Sequence, residues 1–349
     1  MIGASELTDL KGVDWPAHKP GYLYLTAAGF EPRARRGPDV VARAVPLVKS
    51  FVLEFRDKTI PQNAANLQRI KTRLMRSGPV AVCQHHCVGG LEAEIRRIVD
   101  THRCRVIVDV TAMTHALILE SLEVVRRAGT IPLVLYTEAR EYYPTKHDAM
   151  KYLKYPDDER AFHAASRYEG QAVMYAGLSS VGTVSGFEGR ILPTAPTTVI
   201  LFPTFKRLRT AAMLAELEVR RKVFMLGVPV RADLRWRERA LRVINYDLIN
   251  SETDLVLRVD TLSAGSCYRR LCALVADGTV SPRGNIVVCP HGSKMQTVGV
   301  WLFCTENPEV RVAVAHPREF FPGKYSAGFG ATFVFDPGAA GSAEVSSLA

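Results

Sequence analysis

Leu135-Tyr-Thr-Glu-Ala-Arg-Glu-Tyr-Tyr-Pro144 and Val314-Ala-His-Pro-Arg-Glu-Phe-Phe-Pro322 close two stretches of the chain in nearly the same way. Each opens as an apolar strand, turns polar, and ends on Arg-Glu-aromatic-aromatic-Pro. The proline removes a backbone donor and fixes φ, which punctuates the end of the pattern. Working back from these two endings uncovers one succession of elements, twice over. Upstream of the first lie strand-like runs at Tyr22–Thr26, Phe51–Phe55, Val80–Cys83, Val106–Val110 and Ile131–Tyr136. Between them, Leu91–Val99 and Leu117–Val125 carry apolar residues at three- and four-residue spacing, as amphipathic helices do.

The second half repeats the order. Thr198–Phe202 takes the place of the first strand, Lys222–Leu226 the second, Leu255–Val259 the third and Asn285–Cys289 the fourth, with a helix over Ser266–Ala276. Nearly continuous apolar strands alternating with helices point to parallel sheets covered on both faces. Self-similarity at this scale indicates an internal duplication with a pseudo-twofold relation. The expected fold is therefore α/β: two tandem Rossmann-like units with mainly parallel sheets. The boundaries read as 1–165 for the first unit, 166–196 for a Gly/Pro-rich hairpin connector (its strands near Gln171–Tyr175), 197–335 for the second unit, and 336–349 for a disordered tail.

At 349 residues the chain can support two domain cores, and its 47% hydrophobic content is that of a globular protein. No run approaches the ~20 apolar residues of a membrane helix, and the first residues lack a secretory pattern, so no membrane is expected and a cytoplasmic location follows by default. Seven cysteines scattered over strands and helices suit reduced thiols rather than a disulfide framework. Cys83-Gln-His85-His86-Cys87 packs four soft ligands into five residues, but a structural zinc site needs a second ligand pair and none matches. The run reads as a strand end, and neither metal nor cofactor is expected. The net charge of +10, concentrated in Arg33–Arg36, Lys206–Arg209 and Arg220–Arg242, favours nucleic acid, nucleotides or an acidic protein as partner. Aromatics are not interleaved with these basic runs as single-strand stacking platforms require, so nucleic acid stays open without being favoured.

In an open parallel sheet, ligands gather at the carboxyl ends of strands, where helix N-termini favour anions. Two segments fall there. The first is Asp109-Val-Thr111-Ala-Met113-Thr114, in which helix capping alone accounts for the threonines. The second is His291-Gly292-Ser293-Lys294-Met-Gln296, where a cation at a helix start is unfavourable unless an anion is present. It is not a P-loop, because the Gly-x-x-x-x-Gly-Lys spacing is absent. Thr26, Glu31 and Arg33 follow the first strand; Glu138 and Tyr143 follow the fifth; Lys324 and Tyr325 lie in the corresponding part of the second half. The tyrosines suit base stacking and sheet-edge packing equally.

A strand ending in Asp109-x-Thr111 and opening a helix resembles the ligand loop of CRISPR-associated Rossmann-fold (CARF) sensor domains, which runs roughly Asp-x-Thr-Gly-Gly-Thr-Lys-x-Met. Here Ala112–His115 replace its Gly-Gly-Thr-Lys portion, whereas Gly292-Ser293-Lys294-Met295 supplies the complementary fragment. Two fused units also resemble the related SAVED sensors. The resemblance implies a cyclic oligonucleotide bound in a basic cleft between paired units, in antiviral signalling. Three functions stay open. The first is binding or sensing of a nucleotide-type ligand. The second is an enzyme on a nucleotide or phosphate ester, with Asp109, Glu138 or His291 as acid or base. The third is a non-catalytic subunit that binds a partner protein or nucleic acid. No effector domain is evident in the sequence, so a sensor's output would lie in a separate effector chain or in its own catalysis.

Overall fold

The computed structural model describes residues 8–9, 21–57, 59–153, 178–249, 252–317 and 320–338. The expected hairpin near Gln171–Tyr175, the Arg318-Glu319 pair of the second repeat ending, and the tail from 339 onward lie outside the described residues. The chain divides into two compact units, Met1–Tyr142 with Ser326–Ala349, and Tyr143–Tyr325.

The first unit carries β1 (Thr8–Asp9), β2 (Tyr22–Ala28), α1 (Arg36–Ala44), β3 (Leu47–Glu54), α2 (Pro61–Leu74), β4 (Val80–Gln84), α3 (Glu92–His102), β5 (Arg105–Asp109), α4 (His115–Arg127), β6 (Leu133–Thr137) and β7 (Glu141–Tyr142). In the second unit come α5 (Lys146–Leu153), β8 (Leu178–Thr183), β9 (Thr197–Leu201), α6 (Arg207–Glu216), β10 (Arg221–Val228), α7 (Trp236–Ile244), β11 (Leu255–Asp260), α8 (Ala264–Ala276), β12 (Asn285–Cys289), α9 (Lys294–Glu306) and β13 (Arg311–Pro317). The chain then returns to the first unit with β14 (Ser326–Ala327) and β15 (Thr332–Phe335).

The first sheet runs β1-β15-β6-β5-β2-β3-β4 and the second β11-β10-β9-β12-β13-β8. Within each, the five parallel strands follow the order 3-2-1-4-5, and an antiparallel strand covers the fifth: β15 on β6, β8 on β13. The fold is thus mixed α/β with two Rossmann-like units. β15 falls within the stretch 197–335 that the sequence reading assigns to the second unit, yet it pairs with β6 through Val334↔Leu135 and Phe333↔Tyr136. Its short Thr-Phe-Val-Phe run can serve any open edge, and only the tertiary arrangement selects which one. Asp336, just beyond, pairs with Arg105 at 2.8 Å.

Burial follows strand position. All residues of β2, β6 and β12 are buried, while the edge strands β4 and β11 are mostly half-exposed. A strand flanked on both sides and covered on both faces must be apolar along its whole length, which is why the central strands read as continuous hydrophobic runs. In the first unit Tyr24, Val52, Ile107 and Leu135 join one core; in the second, Val199, Phe224, Val287 and Ala313 join another. Two of the helices that follow strands, α4 and α8, start on side-chain caps: Thr114 Oγ1 accepts from the Leu117 amide at 3.3 Å and Ser263 Oγ from the Ser266 amide at 3.0 Å. No helix among the described residues is long and apolar enough to cross a membrane.

Candidate functional site

The strand order reverses direction between β2 and β5 in the first unit and between β9 and β12 in the second. Loops leaving adjacent strands there diverge, so the carboxyl edge opens a crevice. The two crevices hold different chemistry.

In the first unit the expected ligand groups are turned inward. Asp109 is 1% exposed; its carboxylate accepts from Tyr24 Oη at 2.8 Å and from the Thr111 amide at 3.0 Å. Burial raises its pKa above the usual carboxylate range. Thr26, Thr111 and Met113 are also buried. Thr111 Oγ1 accepts from the Thr137 amide at 2.9 Å and so ties the loop to the end of β6. Glu138 is buried too, with its backbone bonded to Ala331 and Gly330.

Arg33 is 5% exposed and heavily engaged. It pairs with Glu31 at 3.0 Å and donates to Tyr136 Oη at 3.2 Å and to the Thr137 carbonyl at 3.1 Å. Its guanidinium also lies 5.7 Å from both the Tyr136 and Tyr142 ring centres. Ser326 Oγ donates to Glu31. The structure therefore brings Glu31 and Arg33 together as a neutralised internal pair.

The second unit is the cationic one. The loop after β9 carries Lys206, and α6 carries Arg209, which is 7% exposed. The loop after β12 carries His291, and β13 ends at His316-Pro317. His291 is buried, and Nε2 accepts from the Ala315 amide on β13 at 3.0 Å. That bond requires an unprotonated Nε2, so the neutral ring carries its proton on Nδ1. Burial, then the positive charges of Arg209, Lys206 and His316, hold its pKa well below the ordinary imidazole range. His316 is likewise lowered, by burial and then by Arg209. His291 is thus the counterpart of Thr111: each is a loop side chain that accepts from a backbone amide on the fifth parallel strand. With its Nε2 lone pair so used, it is poorly placed as a catalytic base.

Ser293 caps α9 in a reciprocal box: its Oγ accepts from the Gln296 amide at 3.1 Å, and Gln296 Oε1 accepts from the Ser293 amide at 2.8 Å. The Ser293 hydroxyl also donates to the Thr261 carbonyl. Gln296 is buried and donates to the Val259 carbonyl at 3.2 Å. Gly292 is needed by packing, because a Cβ there would lie 2.2 Å from Gln296 Oε1. Lys294, half-buried, opens α9 directly after the cap.

Beside this group, Lys206 Nζ lies 3.9 Å from the Tyr325 ring centre, and the Tyr143 amide donates to the Tyr325 carbonyl at 3.1 Å. Lys324 is exposed. Lys206 and Arg209 are the residues that site selection by motif passes over. Their signal is positional: Lys206-Arg-Leu-Arg209 follows the first strand of its sheet, as Glu31 and Arg33 follow theirs.

At the end of β4, His85 Nδ1 lies 3.2 Å from the Glu54 carbonyl oxygen and its ring packs on Phe55. Among the described residues no three His, Cys, Asp or Glu side chains are grouped to hold a metal ion.

His291 sets a test by acid. Its folded pKa lies below the unfolded value of about 6.5, so on acidification the unfolded chain takes up a proton that the folded one resists. Stability is therefore fully present above about pH 6.5 and falls as pH drops below it. The expected loss by pH 5 is at most about 2 kcal/mol, at about 1.4 kcal/mol for each pH unit below 6.5. His291→Gln, which keeps an acceptor but does not titrate, should flatten the profile between pH 5 and 7. Urea unfolding across that range checks it; identical profiles would refute the assignment.

The fold and strand-end sites define a protein of two Rossmann-like α/β units. No family model and no curated protein matches the chain. Among solved structures it is similar to a Type III CRISPR defence DNA nuclease activated by cyclic oligoadenylate, with a TM-score of 0.48 and 12% identity, over 81% of this chain and 64% of that one. The match thus spans less than two thirds of the nuclease chain.

Proposed function

We propose that the second unit binds a phosphate-bearing, nucleotide-type ligand at the carboxyl ends of β9, β12 and β13, and that the protein acts as a nucleotide sensor in antiviral defence. The observation that carries this reading is the convergence of Lys206, Arg209 and His316 on His291 at the point where the strand order reverses. Like charges gathered at a partly dry crevice raise the local positive potential, which costs stability and favours an anion. Lys294 stands at the first position of α9, the end of a helix whose amides and dipole favour an anion. A phosphate bound there would meet both the helix end and the cations. Tyr325, already under the Lys206 ammonium, offers an aromatic face beside the cations. The resemblance of the Asp109-x-Thr111 and Gly292–Met295 segments to CARF loops directs the choice of ligand toward cyclic oligonucleotides.

Isothermal calorimetry against inorganic phosphate, mononucleotides, cyclic dinucleotides and cyclic oligoadenylates tests the proposal. Binding by at least one nucleotide, tighter than phosphate and weakened at least tenfold by Lys294→Ala, is the expected result. Absence of heat with every compound would refute it.

A further inference from the structure

We propose that the outer face of α7 is a docking surface for single-stranded nucleic acid. Arg235, Arg239 and Arg242 are all exposed. At 100° per residue they fall within about 60° of arc, on the side of α7 away from Ala240 and Ile244, which pack into the unit. Tyr246, 53% exposed, continues the line just past the helix end.

The carboxylates around this face are engaged elsewhere. Glu238, the acidic residue of α7, pairs with Arg258 at 2.8 Å; Asp233 pairs with Arg231 at 2.7 Å; Asp247 pairs with Arg207. Among the described residues no carboxylate forms an ion pair with Arg235, Arg239 or Arg242. Three guanidinium groups thus stand in a row with no carboxylate paired to them among the described residues. One of them, Arg235, occupies the N-cap of α7, where the dipole disfavours a cation.

Charge complementarity calls for a polyanion, and the residue types narrow it. Each cation is arginine, whose planar fork engages phosphate oxygens in pairs, where lysine offers only a point charge. An exposed tyrosine in line with them can stack on a base, and only a single strand leaves its bases free to stack there. An acidic protein segment would use the charges and leave the tyrosine without a role. This surface is independent of the nucleotide site, and its residues take no part in that site.

Fluorescence anisotropy of the full chain with labelled 20-nucleotide single strands of RNA and DNA, over 50–200 mM salt, tests the proposal. Replacing all three arginines with glutamine should weaken binding at least tenfold at 100 mM salt. It should also reduce the slope of log K against log salt by about 2, at ~0.7 per lost phosphate contact. Tyr246→Ala should weaken single-strand binding about fivefold or more. Nucleotide calorimetry and the melting temperature should stay as in the parent protein, which separates failure here from failure of the nucleotide reading and from misfolding. Unchanged affinity and slope in the triple variant would overturn the proposal. So would displacement of the strand by polyglutamate at equal charge, which would indicate an acidic protein partner, or tighter duplex binding insensitive to Tyr246→Ala.

Discussion

Asp109→Ala should destabilise the first unit by about 3 kcal/mol, whereas Asp109→Asn should cost about 1 kcal/mol or less. Truncation leaves two buried donors, Tyr24 Oη and the Thr111 amide, without their shared acceptor, at about 1–3 kcal/mol each. Part of that is returned, because burial already disfavours the ionised carboxyl. The sign follows from the direction of the shift. A carboxyl with a raised folded pKa holds its proton more firmly in the folded state, so between the unfolded and folded values stability declines as pH rises. Asparagine keeps a carbonyl acceptor for Thr111 without that charge, hence the smaller loss.

The same carboxylate explains Gly37, where a Cβ would lie 1.9 Å from Asp109 Oδ2 and 3.0 Å from Leu135 Cδ2. Tyr24 and Thr111 hold the carboxylate in place, so Gly37→Ala should cost about 3 kcal/mol as overpacking. In an Asp109→Ala background most of that clash is gone, and the two substitutions should couple by 1 kcal/mol or more. Urea unfolding of the four proteins, with hydrogen exchange in β2 and β5 to locate the effect, reads the cycle. Strict additivity, or an Asp109→Ala protein as stable as its parent, would refute this account.

Much of the scaffold is legible in sequence because central parallel strands must be apolar throughout. The runs Tyr22–Thr26, Val106–Val110 and Asn285–Cys289 fall on β2, β5 (which ends at Asp109) and β12, each flanked on both sides. Thr114 and Ser293 are legible as caps for the same local reason: a short polar side chain before a periodic run satisfies helix donors. The role of Asp109 is not local. Tyr24 faces Ile107 in the parallel ladder, so its hydroxyl reaches the same-face neighbour two residues on, which is Asp109. That relation exists only once register is fixed. Arg33 reads as a ligand cation until Glu31 closes on it, and Arg209 reads as one charge of a basic run until α6 buries it. Whether a strand-end charge faces a ligand or a carboxylate depends on rotamers and tertiary packing, which spacing does not encode.

The combined variant Lys206→Ala, Arg209→Gln should weaken the tightest nucleotide in the calorimetric panel by at least about a hundredfold. Each lost charge-assisted contact to phosphate is worth about 1.5–3 kcal/mol, and the two side chains act on the same crevice. Arg209 is buried, so a loss of binding could reflect a loosened unit; His316 distinguishes the cases. Its pKa is lowered by burial first and by Arg209 second. Removing that charge while the strand end stays packed should move it part of the way back toward the ordinary imidazole value, never past it. Local unfolding would instead restore the ordinary value outright and release the Ala315 amide to exchange. NMR titration of His316, together with exchange at Ala315, therefore reads geometry and charge separately. A partial upward shift with a protected Ala315 and lost nucleotide binding assigns the effect to charge. Undiminished binding in that same folded variant would remove Lys206 and Arg209 from the site, and with them the observation on which the nucleotide reading stands.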